Sequence, residues 1–195
     1  MESSLNNLIN SLEAECNVEW MISVLKSDLH MDQASRLDRW EDIKITSFTR
    51  LLALVYFTAL QSLVTKTLIH ILGRWIHLSS VGDHRVTEEM YLSFSWYFCN
   101  IGWKDLILKI QNAVKKELSS VSLKQEFTFD ELKETIGRIR SDINTFKDFS
   151  SFILPSEGKE RDFLSKYQGV VESDPGFMNQ DLIKLLNETR DYLER

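Results

Sequence analysis

The sequence predicts an all-α protein, a helical bundle around one long central helix. Three observations carry that expectation. Only 7 glycines and 2 prolines occur in 195 residues, fewer than the turns of an all-β chain of this length require. The run from Arg36 to Leu78 contains no proline and a single glycine, Gly73. Elsewhere apolar residues recur at spacings of three and four, the helical period. With 43% hydrophobic and 27% charged residues, the chain reads as a single helical domain over residues 1–195.

Residues 3–26 read as one helix, with Leu5, Leu8, Ile9 and Leu12 followed by Trp20, Val24 and Leu25. Ser27 to Ser35 is a polar connection. The long helix starts near Leu37, where Asp38, Glu41 and Asp42 suit the positive end of the helix dipole. From Leu51 to Leu60 it is apolar nearly all round, so neighbours are expected to cover it on several sides. Gly73 interrupts the pattern, and the stretch from Ser79 to Asp83 ends it. Thr87 is placed to cap an aromatic-rich helix running from Glu88 to about Cys99. Asn100 to Gly102 reads as a short turn before an amphipathic helix from Trp103 to Leu118. Thr128 and Glu131 form the pattern of a capping box, opening a helix to about Lys147. Residues 148–178 hold Pro155, Pro175 and three glycines, and read as a long surface loop with one helical turn near Phe163. Asn179 caps a last helix that is still in progress at Arg195, which suggests a truncated product.

Charge and motifs exclude more than they assign. The net charge of -6 argues against nucleic acid, which needs a basic footprint. Cys16 and Cys99 make neither a disulfide framework nor a Cys-x-x-Cys site, and fit reduced thiols of a cytosolic domain. The N-terminus lacks the basic start and apolar core of a signal peptide. The best membrane candidate, Leu51 to Thr65, reaches about 22 Å as a helix, short of a hydrocarbon core of about 30 Å. His70 and His77 are seven apart, and no Glu-x-x-His or His-x-x-x-His occurs, so no metal site is expected. Phosphate loops, dinucleotide fingerprints and Gly-x-Ser-x-Gly are absent as well, and His84 beside Asp83 reads as a solvated turn histidine. Neither an enzyme, a cofactor nor a small-molecule substrate is expected.

Binding remains. Leu37, Trp40 and Ile43 follow one another by three and share a helical stripe, with Arg36, Arg39 and Lys44 as basic neighbours. Trp40 is either a core tryptophan at a helix start or an exposed aromatic anchor. Tryptophan and arginine are enriched in binding hot spots, and an apolar groove with a basic rim suits an amphipathic helix carrying acidic residues.

Several blocks resemble the peroxin-3 family. They are Trp40 to Ile45 with Ser47 to Arg50, Ile71 to Arg74, Ser120 to Lys124, Ile153 to Glu157, and Leu185 to Asp191. The resemblance implies an all-helical cytosolic domain, without enzymatic activity, that docks the N-terminal amphipathic helix of peroxin-19 at the peroxisomal membrane. It carries the family's groove tryptophan over to Trp40 and its neighbours to Leu37 and Ile43. The basic residue four before becomes Arg36, and the upstream Leu-Lys pair becomes Leu25 and Lys26. Family members also start with a basic membrane-anchoring segment and continue past the last block, so the chain reads as a shortened member. The competing expectation is a helical scaffold remnant that no longer docks.

Overall fold

A computed structural model describes residues 2–28, 30–79, 84–145, 149–169 and 177–194, with side chains from residue 9 onward. The protein is all-α, as its composition predicts. The helices are α1 (Glu2–Glu15), α2 (Val18–Ser27), α3 (Gln33–Leu78), α4 (Arg85–Ser93), α5 (Ser95–Tyr97), α6 (Trp103–Leu118), α7 (Phe129–Asn144), α8 (Ser150–Ile153), α9 (Glu160–Tyr167) and α10 (Gln180–Leu193). A π-helical segment, Phe98–Gly102, joins α5 to α6.

Local chemistry explains where these differ from expectation. The first expected helix is two, because the Asn17 side chain accepts the amide of Trp20 at 2.8 Å and caps a new helix. The side chains of Leu5 and Leu8 lie outside the described ones. The long helix starts at Gln33, four residues earlier than Leu37, behind Asp32, whose carboxylate accepts the Ser35 amide at 3.2 Å. It runs through Gly73 unbroken and ends at Leu78, while residues 80–83 lie outside the described part. Thr87 caps nothing. It sits buried inside α4, which starts at Arg85, and its hydroxyl accepts from the Asn179 amide at 2.9 Å. Asn100 to Gly102 continue the helical path as a π segment. The capping box at Thr128 forms as expected: Thr128 N donates to Glu131 Oε2 at 2.8 Å, and Glu131 N to Thr128 Oγ1 at 3.3 Å. The helix it opens stops at Asn144, and Lys147 lies outside the described residues. Asn179 caps α10 through the Leu182 amide at 2.8 Å.

The chain divides into two compact units. One comprises Met1–Phe57 and Lys104–Phe146, the other Thr58–Trp103 and Lys147–Arg195. The first buries Leu12, Leu25, Ile43, Phe57, Leu106, Ile110, Val114, Leu118, Ile139 and Ile143. Arg50 ties α3 to α1 and α2 through Glu13 (3.3 Å) and Glu19 (2.9 Å). Lys116–Asp142 (2.7 Å) and Arg138–Glu117 (2.8 Å) tie α6 to α7.

The second unit buries Leu68, Tyr91, Phe94, Phe98, Phe163, Leu185 and Leu186. The helical turn expected near Phe163 is present as α9, but the stretch before it is no surface loop: it forms α8, and Phe152, Ile153, Leu154 and Pro155 are buried. Helices of 4 and 8 residues are too short to show a period in sequence, and Pro155 and Gly158 between them mask it. Pro175 is outside the described residues. Gly102 is required by packing: a Cβ there would overlap the carbonyl oxygen of Phe152.

One face of α3 carries the buried positions Ala53, Phe57, Val64, Leu68 and Ile71, spaced by three, four or seven. The expectation of burial on several sides does not hold. Leu51, Val55, Leu63, Ile69 and Ile76 are exposed. The 46-residue helix is about 69 Å long and includes an 18-residue window of mean hydropathy 1.5, of which 28% is buried. By length and composition alone it could cross a membrane, where the shorter stretch Leu51 to Thr65 could not.

Candidate functional site

The first unit holds an open depression of about 620 Å³, lined by Leu37, Trp40 and Glu41 of α3 and by Ser122, Leu123 and Lys124 of the loop after α6. Trp40 is 42% exposed and Leu37 57% exposed. The Trp40 ring thus lies at the surface of the unit and not in its core.

The stripe Leu37–Trp40–Ile43 does not stay on one face. A step of three residues falls about 60° short of a full turn, so Ile43 lies about 120° round the helix from Leu37. Ile43 is accordingly only 6% exposed and belongs to the core. Glu41, a step of four from Leu37, takes its place beside the depression.

The other expected residues are scattered. Leu25 is 7% exposed and packs inside the unit. Lys26 is exposed in the last turn of α2. Arg36 is exposed, and its guanidinium donates to the Asp28 carbonyl at 3.4 Å. None of these three lines the depression. Leu37 and Trp40 alone of the six are brought together there.

Sequence reasoning missed the opposite wall. The block Ser120 to Lys124 was visible as a family-like stretch, but nothing in its own pattern tied it to Trp40. The tie is Lys44, expected as a basic neighbour of the groove. Its side chain is only 13% exposed. Its ammonium donates to the Leu118 carbonyl at 2.9 Å and the Val121 carbonyl at 2.6 Å, and meets Glu41 Oε2 at 2.5 Å. It therefore adds no free charge to the rim. Asp38 and Asp42 lie on the opposite side of α3 from Trp40. With Glu41 matched by Lys44, the other charged residue lining the depression is Lys124, and Arg36 lies one turn before Trp40 on α3; both are exposed and basic.

Burial pushes the Cys99 thiol up to about 11, and it donates to Gln61 Oε1 at 3.0 Å. Burial also raises the Cys16 thiol, with the Glu15 carboxylate adding to the effect. The Tyr91 phenol is pushed up to about 12 by burial and pairs with the Thr189 hydroxyl at 2.6 Å. No group of three or more His, Cys, Asp or Glu converges among the described residues.

Comparison with known proteins decides the family. The peroxin-3 family model matches residues 2–85 and 79–195. The chain belongs to the peroxin-3 family. It is 32% identical over 209 aligned positions to peroxisomal biogenesis factor 3 of Bos taurus, covering 98% of this chain and 54% of that protein. The Homo sapiens protein of the same name gives the same identity and coverage. The Yarrowia lipolytica protein is 28% identical over 83% of this chain and 48% of its own length. The chain thus spans about half the length of the curated relatives it matches. The blocks that first suggested the peroxin-3 family converge, two in the first unit and three in the second. Within the first unit Ser120 to Lys124 meets the block of Trp40. Within the second, Arg190 of α10 donates to the Pro155 carbonyl at 3.1 Å, and Arg74 pairs with Glu188.

Proposed function

We propose that this chain is a non-enzymatic peroxisome biogenesis factor that docks the N-terminal amphipathic helix of peroxin-19 on the Leu37–Trp40 surface. The observation that carries the reading is an exposed Leu37–Trp40 pair facing Leu123 across an open depression, in a member of the peroxin-3 family. An amphipathic helix offers apolar side chains every three or four residues, which suits a short apolar floor. Arg36 and Lys124 beside it favour a partner with acidic flanks. Peroxisomal membrane association, on the cytosolic face, follows from the same family reading. As the Leu25, Lys26 and Ile43 side chains do not line the depression, they serve the site through packing or at its margin.

The test is a titration of the intact chain with a peroxin-19 N-terminal peptide. Saturable binding that weakens at least thirtyfold in Trp40→Ala is expected, about 2 kcal/mol for a buried aromatic anchor. Absence of binding by the unaltered chain overturns the reading.

A second reading is supported by the exposed apolar positions of α3, Leu51, Val55, Leu63, Ile69 and Ile76. It takes the chain as a helical scaffold without docking activity. Such a face favours self-association. A monodisperse monomer with a cooperative thermal transition argues against it.

A further inference from the structure

We infer that Lys44 is a positioning residue, which fastens the loop after α6 so that Leu123 stands opposite Trp40 as the second wall of the docking surface. The inference rests on the docking reading above and assigns that site a part which touches no ligand.

The geometry starts at the end of α6. A helix leaves its last carbonyls without intrahelical partners, and a glycine beyond the end commonly lets the chain turn back and satisfy them. Ser119 and Ser120 follow Leu118, so that solution is not available. Leu118 O takes one bond from the Val121 amide at 3.1 Å, and the ammonium of Lys44, from another helix, supplies a second donor there and the donor for Val121 O. Its three N–H groups match three acceptors, Leu118 O, Val121 O and Glu41 Oε2. A cation at a helix C-terminus is further favoured by the dipole. Charge-assisted bonds to a half-buried ammonium are stronger than ordinary loop hydrogen bonds.

The fastening point decides where Leu123 goes. Val121 N donates to Leu118 O at 3.1 Å, and Gln125 N to Ser122 O at 3.0 Å, so Ser122 to Gln125 form a tight turn next to the held carbonyl. Leu123 is 37% exposed at its tip and lines the depression with Lys124. On α3, Lys44 is four residues from Trp40 and three from Glu41, on the same side of the helix. The residue that holds the loop therefore sits directly behind the pair that the loop faces. Glu41 completes the arrangement: it lines the depression while bonded to Lys44, which keeps a carboxylate from repelling an acidic partner.

The experiment compares the intact chain with Lys44→Met, Lys44→Arg, Leu123→Ala and the double variant Lys44→Met/Leu123→Ala. Two readouts are used: amide hydrogen exchange without ligand, and affinity for the peroxin-19 N-terminal peptide. In Lys44→Met, amides of residues 119–125 should exchange on the order of tenfold faster or more, with those of α10 unchanged. The same variant should bind peptide about tenfold more weakly. Lys44→Arg, which keeps charge and donors, should restore both readouts in large part. The double variant should bind no more weakly than Lys44→Met alone, because Lys44 acts through Leu123. Unchanged exchange at 119–125, faster exchange throughout the chain, or losses of affinity that multiply would each overturn the inference. If the unaltered chain binds no peptide, the docking reading fails by itself, and the exchange pattern still decides whether Lys44 holds the loop.

Discussion

Two sites in this molecule use the same device for opposite ends. In the first unit, Lys44 reaches from α3 to two loop carbonyls and a carboxylate. In the second, Arg190 reaches from α10 to the Pro155 carbonyl and the carboxylate of Glu160. Each cation fastens an irregular segment to a helix. The segments differ in what surrounds the fastening. Around Pro155, Phe152, Ile153, Leu154 and Glu160 are all buried, and the Glu160 side chain is 6% exposed. Beside Lys44, Leu37, Trp40 and Leu123 stay open to solvent. The Arg190 node closes a core, whereas the Lys44 node holds a surface. Loss of the first should cost stability, and loss of the second should cost binding.

The sharpest test of the contrast is Arg190→Met. It strands the Glu160 carboxylate in a buried site, and leaving one partner of a buried pair costs about 3–5 kcal/mol. A denaturation midpoint should fall accordingly, and a large part of the loss should return in Arg190→Met/Glu160→Leu, where neither charge remains. Gly102→Ala attacks the same core from the other side. A methyl there meets the Phe152 carbonyl, backbone that cannot rotate away, so a destabilisation of about 3 kcal/mol is expected. Neither substitution should change hydrogen exchange at residues 119–125 before global unfolding. If one does, the two nodes are not separate devices.

These nodes also show how far the sequence could be read. The helix start at Thr128 and the bounds of α6 were legible because capping and amphipathic period are local signals. Trp40 was legible as a candidate because its charged surroundings are unusual for a core residue. Its true neighbours were not, because Leu123 is 83 positions away in the chain and no periodicity links the two. Ile43 misled for a geometric reason: spacing by three mimics a stripe over one step and leaves it over two. The node at Arg190 was hidden similarly. Pro155 read as loop punctuation, and only tertiary contact reveals that its carbonyl and the buried residues before it belong to the core. The family-like blocks were the one sequence signal that marked both nodes, since their members meet within each unit.

On the surface side, Trp40→Ala should leave the denaturation midpoint almost unchanged while reducing peptide affinity at least thirtyfold. That dissociation of binding from stability is the reverse of the result expected for Arg190→Met. A stability loss comparable to the Arg190 variant would mean that the exposed ring supports the core instead, and the contrast between the nodes would collapse.

The smallest expected effect concerns the far end of the same loop. Thr128 caps α7 and so anchors the chain on the other side of Leu123. Thr128→Ala should cost about 1 kcal/mol, the usual loss of an N-cap oxygen. The effect should depend on pH in a defined direction. The Glu131 carboxylate is held below its ordinary value of 4.5, first by the Thr128 backbone N–H and then by the Thr128 hydroxyl. A carboxylate whose value is lowered on folding stabilises fully above its unfolded value, and that contribution is lost as pH falls through the folded value. The stability difference between the unaltered chain and Thr128→Ala should therefore be constant near neutral pH and shrink as acid protonates Glu131. Midpoints measured from pH 7 down to about pH 3 would check it. A difference that stays constant across the range would mean that the hydroxyl bond to the Glu131 amide carries the cap without the carboxylate. The loop bearing Leu123 would then be fixed at this end by a neutral contact and at the other by the charge of Lys44.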